Sequence, residues 1–302
     1  MGERSKVYMT DLRCRPGVSL LNKLEKLMRT AGIGEINFER KLVAIKMHFG
    51  EPGNLAFLRP NYAKVVADVV KSLGGVPFLT DCNTLYPGRR KNALEHLDAA
   101  YENGFSPLST GCQVIIGDGL RGNDDVEVPV EGAEYIQTAK IGKAIMEADV
   151  IISLSHFKGH EQTGFGGAIK NLGMGCGSRR GKMEQHAQGK PMVAPRRCVG
   201  CRRCATQCAH GAITFGEDRK ASIDWDKCVG CGRCIAVCNT DAIRPGNDAA
   251  MEELGCRMAE YAKAVVDGRP QFHISLVIDV SPYCDCHGEN DLPIVPDVGM
   301  FA

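Results

Sequence analysis

The chain carries almost no excess charge of either sign, one tryptophan, few aromatics, and no apolar run near the roughly 18 residues a membrane span requires. Lysine and arginine total 37 against 36 aspartates and glutamates over 302 residues, so net charge nominates neither a nucleic acid nor an anionic membrane as partner. The opening Met-Gly-Glu-Arg-Ser-Lys-Val-Tyr has no apolar stretch of the kind a secretory signal carries, and the expected compartment is the cytoplasm. With 44% apolar and 24% charged residues the composition is that of a globular protein of one large domain or two. Cysteine is the exception. There are 15, and in a reducing compartment such usage points to metal or catalysis rather than to a disulfide framework.

Eight of the cysteines form an internal repeat. Cys198, Cys201, Cys204 and Cys208 recur thirty positions on as Cys228, Cys231, Cys234 and Cys238, and nine of the sixteen aligned positions 198–213 and 228–243 are identical. This is the C-x2-C-x2-C-x3-C spacing of bacterial two-cluster ferredoxins, in which the fourth cysteine of each run ligates the other cluster. The expectation is therefore two [4Fe-4S] clusters: one on Cys198, Cys201, Cys204 and Cys238, the other on Cys228, Cys231, Cys234 and Cys208. The proline that usually follows the fourth cysteine is replaced by Ala209 and Asn239. Residues 190–245 read as a small α+β ferredoxin domain with a hairpin turning near Gly216, since so short a segment needs staples beyond an apolar core. Its ten basic residues against five acidic ones would neutralise the clusters or form a docking face for an acidic electron carrier.

Outside that insert, strand-like and helix-like segments alternate. Leu42–His48, Val76–Asp81, Gln113–Asp118, Asp149–Ser155 and Ile274–Val280 read as strands. Val18–Ala31, Asn61–Leu73, Arg90–Asn103, Ala139–Glu147 and Ala249–Val266 read as helices. The expected fold is α/β, a Rossmann-like, mostly parallel sheet with helices on both faces, interrupted by the ferredoxin domain. The domains are then 1–189, 190–245 and 246–302.

Titratable residues collect where strands end: His48, Asp81, Asp118, His156 and Asp279. Open α/β sheets bind ligands at that edge; turn formation accounts for the aspartates but poorly for the histidines. Seven glycines fall between Gly159 and Gly177. Gly164, Gly166 and Gly167, just before a helix, offer bare backbone N–H groups, and Lys158, Lys170, Arg179 and Arg180 add positive charge. An anionic substrate or cofactor bound there is expected, although the spacing matches neither the dinucleotide nor the P-loop fingerprint, and tight turns alone would also account for the glycines. His48, His156, His160 and His186 are candidates for proton transfer or, alternatively, a metal site. Cys284 and Cys286 form a second thiol group of open role, with Cys176 a further thiol. Cys14, Cys82, Cys112 and Cys256 read as core residues.

These segments carry a resemblance. Lys46-Met-His-Phe-Gly-Glu-Pro-Gly-Asn-Leu, Phe78-Leu-Thr-Asp-Cys-Asn, Asp118-Gly-Leu-Arg-Gly, Ser155-His-Phe-Lys-Gly-His through Asn171-Leu-Gly-Met-Gly, and Cys284-Asp-Cys resemble the DUF362 family of uncharacterised iron–sulfur proteins. The resemblance implies an α/β core interrupted by a two-cluster ferredoxin module, and it supplies no substrate. It also implies a further segment beyond Ala302. The function expected is an iron–sulfur oxidoreductase passing electrons to a ligand at the sheet edge. His156 and His160 would donate protons, Lys158, Lys170 and Arg179 would neutralise an anion, and His48 and Asp81 would orient it. A ferredoxin-like carrier docking to a partner enzyme, or a metal- or sulfur-handling protein, are the alternatives. The expected partner is an electron donor or acceptor protein, with no nucleic acid and no membrane.

Overall fold

The computed structural model describes residues 5–85, 88–160, 163–187, 191–208, 210–228, 233–246, 251–289 and 292–302. In chain order the elements of the core are β1 (Met9–Thr10), α1 (Leu20–Thr30), β2 (Leu42–Lys46), α2 (Pro60–Ser72), β3 (Val76–Asp81), α3 (Ala93–Glu102), α4 (Pro107–Thr110) and β4 (Gln113–Ile116). A hairpin of β5 (Asp125–Pro129) and β6 (Thr138–Gly142) leads through α5 (Lys143–Glu147) to β7 (Val150–His156). A second hairpin, β8 (Lys158–His160) and β9 (Gly164–Gly166), precedes α6 (Ala168–Cys176) and α7 (Arg179–Ala187). A small unit follows, with β10 (Pro191–Val193), α8 (Arg203–Thr206), β11 (Ile213–Phe215), β12 (Ala221–Ile223), α9 (Arg233–Ala236) and β13 (Ile243–Pro245). The chain then returns to the core as α10 (Met251–Val266), β14 (Gln271–Val277) and β15 (Gly299–Phe301).

Local chemistry sets the helix boundaries. Ser19 and Asn22 exchange hydrogen bonds as a capping box at the start of α1. Pro60 opens α2, where its missing N–H costs nothing, and the Asn92 side chain accepts from Glu95 N–H at the start of α3.

The seven-stranded sheet has the order β1-β15-β14-β7-β2-β3-β4. From β14 to β4 the neighbours are parallel, and β15 and β1 complete one edge antiparallel. The strand period places successive side chains on opposite faces. Val43, Ile45, Val150, Ile152 and Leu154 pack with α1 and α2, while Ala44 and Ile151 pack with α6 and α10. This double burial explains the continuous apolar strands of the sequence. The fold is thus α/β around a mixed sheet with helices on both faces. Among the described residues no helix is long and apolar enough to cross a membrane.

Two expectations change. Thr138–Gly142 is a strand paired to Asp125–Pro129, so only Lys143–Glu147 of the expected helix forms. Tertiary pairing overrides the helical spacing there.

The expectation of two [4Fe-4S] clusters is also corrected. Among the described residues no group of three or more His, Cys, Asp or Glu side chains is placed to hold a metal ion. Cys198, Cys204 and Cys234 are buried with Leu85, Met183, Ile213, Ile235 and Ile243 in a small apolar core, and Cys208 and Cys238 pack at its border. Backbone N–H groups of Ala221, Ala212 and Ala242 donate to the Sγ atoms of Cys198, Cys208 and Cys238 at 3.4, 3.3 and 3.2 Å. Cys201 is exposed and Cys228 half-buried, and Cys231 lies outside the described residues. The inserted unit is therefore described by its fold alone: two antiparallel strand pairs, β10–β13 and β11–β12, with two one-turn helices. With the clusters go the functions built on them: the iron–sulfur oxidoreductase, the ferredoxin-like carrier and the metal- or sulfur-handling role. The unit packs on the core through Leu85 and Met183, through a Lys91–Asp241 ion pair and through Arg121 Nη1, which donates to Gln207 Oε1 at 2.6 Å. Of the remaining thiols, Cys82 and Cys112 are buried as expected, whereas Cys14 and Cys256 are exposed.

Candidate functional site

The sheet order reverses at one place. From β2 the chain proceeds to β3 and β4 on one side, and then crosses to β7 and β14 on the other. The connections that leave the carboxyl ends of β2 and β7 lead to opposite sides of the sheet, the place where open α/β sheets leave a crevice. A cavity of about 560 Å³ occupies it, within the usual size range of small-molecule sites.

One side chain fastens the crevice from below. Asn171, in the first turn of α6, donates from Nδ2 to Lys46 O (3.0 Å) on β2 and to Leu154 O (3.3 Å) and Ser155 Oγ (3.0 Å) on β7. Its Oδ1 accepts from Lys46 Nζ at 2.8 Å. Lys46, only 1% exposed, also pairs with Asp81 Oδ1 at 2.9 Å. Burial works to raise the Asp81 carboxyl, but Lys46, His96, Lys182 and Arg90 outweigh it and hold the group below its ordinary value.

A second cluster lies beside His48. Arg90 Nε pairs with Glu51 Oε2 at 2.7 Å, both groups buried, and Arg90 Nη1 stands 2.8 Å from His48 Nε2. His48 Nδ1 accepts from Gly50 N–H at 2.9 Å. Burial and the surrounding Arg90, Lys158, Lys46 and Lys170 push this imidazole well below its ordinary pKa, so it is neutral.

A third cluster centres on Asp285, which is fully buried. It accepts from Lys158 Nζ at 2.9 Å, and both its oxygens lie 3.0 Å from His156 Nδ1. Burial opposes its charge, yet Lys158 and His156 hold it well below the carboxylate range. The other nitrogen of His156 lies 2.7 Å from Ile278 O, so the ring is engaged at both ends behind the cavity wall.

The fourth cluster joins Lys170 to the thiols. Lys170 Nζ is 2.8 Å from Cys284 Sγ. A hydrogen bond from Cys286 is the largest influence lowering the Cys284 pKa; burial raises it, and Lys170 and Lys158 lower it further, leaving it well below that of a free thiol. Cys286 moves the opposite way, since it donates to the Cys284 sulfur. Negative charge in this pair is therefore favoured on the Cys284 sulfur, the one in contact with the Lys170 ammonium.

Of the residues singled out in the sequence, His48, Asp81, Lys158, His160, Gly167 and Lys170 line the cavity together. His160 Nδ1 accepts from Thr163 N–H at 3.2 Å, which leaves the proton on Nε2. Gly164, with φ of 72°, is the exposed first residue of β9, and Gly166 packs against the Lys170 stem. Arg179 is buried elsewhere: its backbone N–H donates to Gly122 O at 2.8 Å, and its guanidinium donates to Lys91 O. Asp118 is fully buried and accepts from the backbone and side chain of Asn83 at 2.9 and 2.8 Å; burial pushes it up to about 6 against the pull of Lys182. Among the described residues Asp279 does not line the cavity; its N–H donates to Asp297 Oδ1 at 2.7 Å.

Sequence reasoning missed Lys46, Arg90, Asn171, Lys182 and Asp285. A lysine ending the apolar run Leu42-Val-Ala-Ile was a usable signal, because a strand buried on both faces has no bland place for a charge. Arg90, Asn171 and Asp285 had none, since their partners lie far off in the chain, and nothing local to Lys182 shows that it faces a cavity.

Relatives place the chain among known proteins. The family described as a domain of unknown function, DUF362, matches residues 43–302. The thylakoid-associated protein sll1697 of Synechocystis sp. (strain ATCC 27184 / PCC 6803 / Kazusa) is 29% identical over 163 residues, 52% of this chain and 46% of that protein. The lactate racemase apoprotein from Thermoanaerobacterium thermosaccharolyticum aligns with a TM-score of 0.44 at 12% identity, over 85% of this chain and 49% of that one. A protein from Thermotoga maritima aligns with a TM-score of 0.42 at 12% identity, over 89% of this chain and 52% of its own. The chain spans about half the length of these relatives. The family match runs through the crevice strands, the Asn171 helix and the Cys284 loop alike, and the chain belongs to the DUF362 family.

Proposed function

We propose that this protein is a thiol-dependent enzyme that adds Cys284 to the carbonyl carbon of a small anionic molecule held at the β2/β7 crevice. The observation that carries this reading is the Lys170 ammonium 2.8 Å from the Cys284 sulfur in the cavity wall. A thiolate needs no separate base, and it is a strong nucleophile when access and charge are arranged for it. The sulfur lone pair forms the S–C bond while the carbonyl π pair moves to oxygen. The ammonium that balances charge on sulfur in the free enzyme then balances it on oxygen in the adduct. His160, with its proton on Nε2, is the group to donate to that oxygen, while Lys158 adds positive potential. His48, neutral, and Asp81, ionised, serve to orient the ligand, and Gly167 offers a backbone N–H at the start of α6.

Alkylation tests this directly. At neutral pH, mass-spectrometric peptide mapping should find Cys284 labelled ahead of the exposed Cys14 and Cys256. The anionic reagent iodoacetate should compete well with neutral iodoacetamide. Labelling of Cys284 only above about pH 8.5, the range of a free thiol, would overturn the reading.

A further inference from the structure

Lys182, on α7, lines the same cavity and is 6% exposed, yet its partners are backbone carbonyl oxygens, those of Gly175 and Gly177. Among the described residues no carboxylate lies within ion-pair distance of it, in contrast to Lys46, Arg90 and Lys158, each of which has one. Asp81 and Asp118 act on it only from beyond ion-pair distance; a buried ammonium without a contacting counter-charge is costly, and the crevice it faces is where the compensating anion belongs. Lys170, the other lining ammonium without a carboxylate, is already matched by the Cys284 sulfur.

The wall between these two points is apolar. Met174, Leu254 and Met258 form a separate buried cluster that faces the cavity, with Leu254 and Met258 one turn apart on α10. Lys170 and Met174 are likewise one turn apart on α6, and the carbonyls that Lys182 meets lie at the far end of that helix. At 1.5 Å per residue, the step from Lys170 to Gly175 is roughly 7–8 Å.

We infer that the ligand is a monocarboxylic acid with an apolar chain. Its carboxylate sits at Lys182, its chain runs along Met174, Leu254 and Met258, and its reactive carbonyl lies at the opposite end, beside Cys284. This rests on the proposed function for the reactive end only; the anion and chain sites stand on Lys182 and the methionine–leucine wall.

Binding of the unbranched series acetate, butyrate, hexanoate and octanoate, by calorimetry and by protection of Cys284 from iodoacetamide, tests it. Affinity should rise about fourfold per added methylene until the cavity is filled, and hexanol and hexylamine should bind much more weakly than hexanoate. Lys182→Met, or Lys182→Gln where the first variant folds poorly, should erase the preference for hexanoate over hexanol. Met258→Gln should flatten the chain-length series. Equal binding of acetate and octanoate would overturn the apolar site, and equal binding of hexanol and hexanoate would overturn the anion site. An unactivated Cys284 alongside an intact chain-length series would instead remove the proposed chemistry and leave this ligand class standing.

Discussion

The Nζ of Lys170 stands 2.8 Å from the Sγ of Cys284, two atoms brought together across 114 positions of the chain. A free thiol is only a few per cent thiolate at pH 7, and the hydrogen bond from Cys286 together with this contact moves Cys284 away from that state. Lys170→Met should therefore slow alkylation of Cys284 at pH 7 by about tenfold or more and shift the midpoint of its pH profile upward. Lys170→Arg should recover part of the rate. The profile itself is the check, because a purely structural role for Lys170 would change the rate without displacing the midpoint.

Replacing Asp285 leaves Lys158 as a buried cation without its anion and His156 Nδ1 without its partner. Asp285→Asn should cost about 3–5 kcal/mol in urea unfolding, the range for a broken buried pair. The contribution has a definite sign with pH. The folded-state pKa of Asp285 is depressed, so its stabilisation is present above about pH 4 and is lost as pH falls through and below the ordinary carboxylate range.

Histidines with depressed pKa values, His48 among them, should dominate acid behaviour at milder pH. Burial lowers His96 and His186 from 6.5 to about 3. The unfolded chain then binds more protons than the folded one between those values, and each ring removes about 1.4 kcal/mol of stability per pH unit as pH drops below about 6.5. Asp118, raised to about 6, acts in the opposite direction between that value and 3.8. Unfolding titrations should show stability falling from near pH 6.5, and His96→Phe should make that fall shallower.

Asn171→Ala removes donors to three groups on two strands and the acceptor of Lys46. Unsatisfied buried polar groups cost about 1–3 kcal/mol each, so a loss of at least a few kcal/mol is expected by chemical denaturation. Amide exchange should quicken at the carboxyl ends of β2 and β7 before it does elsewhere in the sheet.

The layout of the core was legible because apolar runs and helical spacing report burial directly, and nearly every core strand and helix lies within a few residues of its expected place. The edge site was partly legible: His48, Asp81, Lys158, His160 and Lys170 do meet at one cavity. What failed was pairing at a distance. Arg179 looked like a partner of Lys170 by proximity in sequence, yet the turn after Gly177 carries it away to Gly122 and Lys91. The role of Cys284 stayed open because nothing local shows that Lys170 approaches it. Thr138–Gly142 took strand geometry from a partner strand upstream, Pro129 against Thr138 at the near end and Asp125 against Gly142 at the far one. The paired cysteine runs carried the most persuasive spacing of all, and spacing alone did not settle what their side chains pack against.

The Asn171 clasp limits how this architecture can diversify. A helix bolted to two strands and seated so closely on its neighbour that a methyl on Gly173 would collide with the Met258 carbonyl has no freedom to turn or slide. New ligand preferences in related chains must accordingly be written into the exchangeable lining, the side chains of Leu254 and Met258 and the loop bearing Cys286 and His287, while the helix itself serves as a fixed ruler.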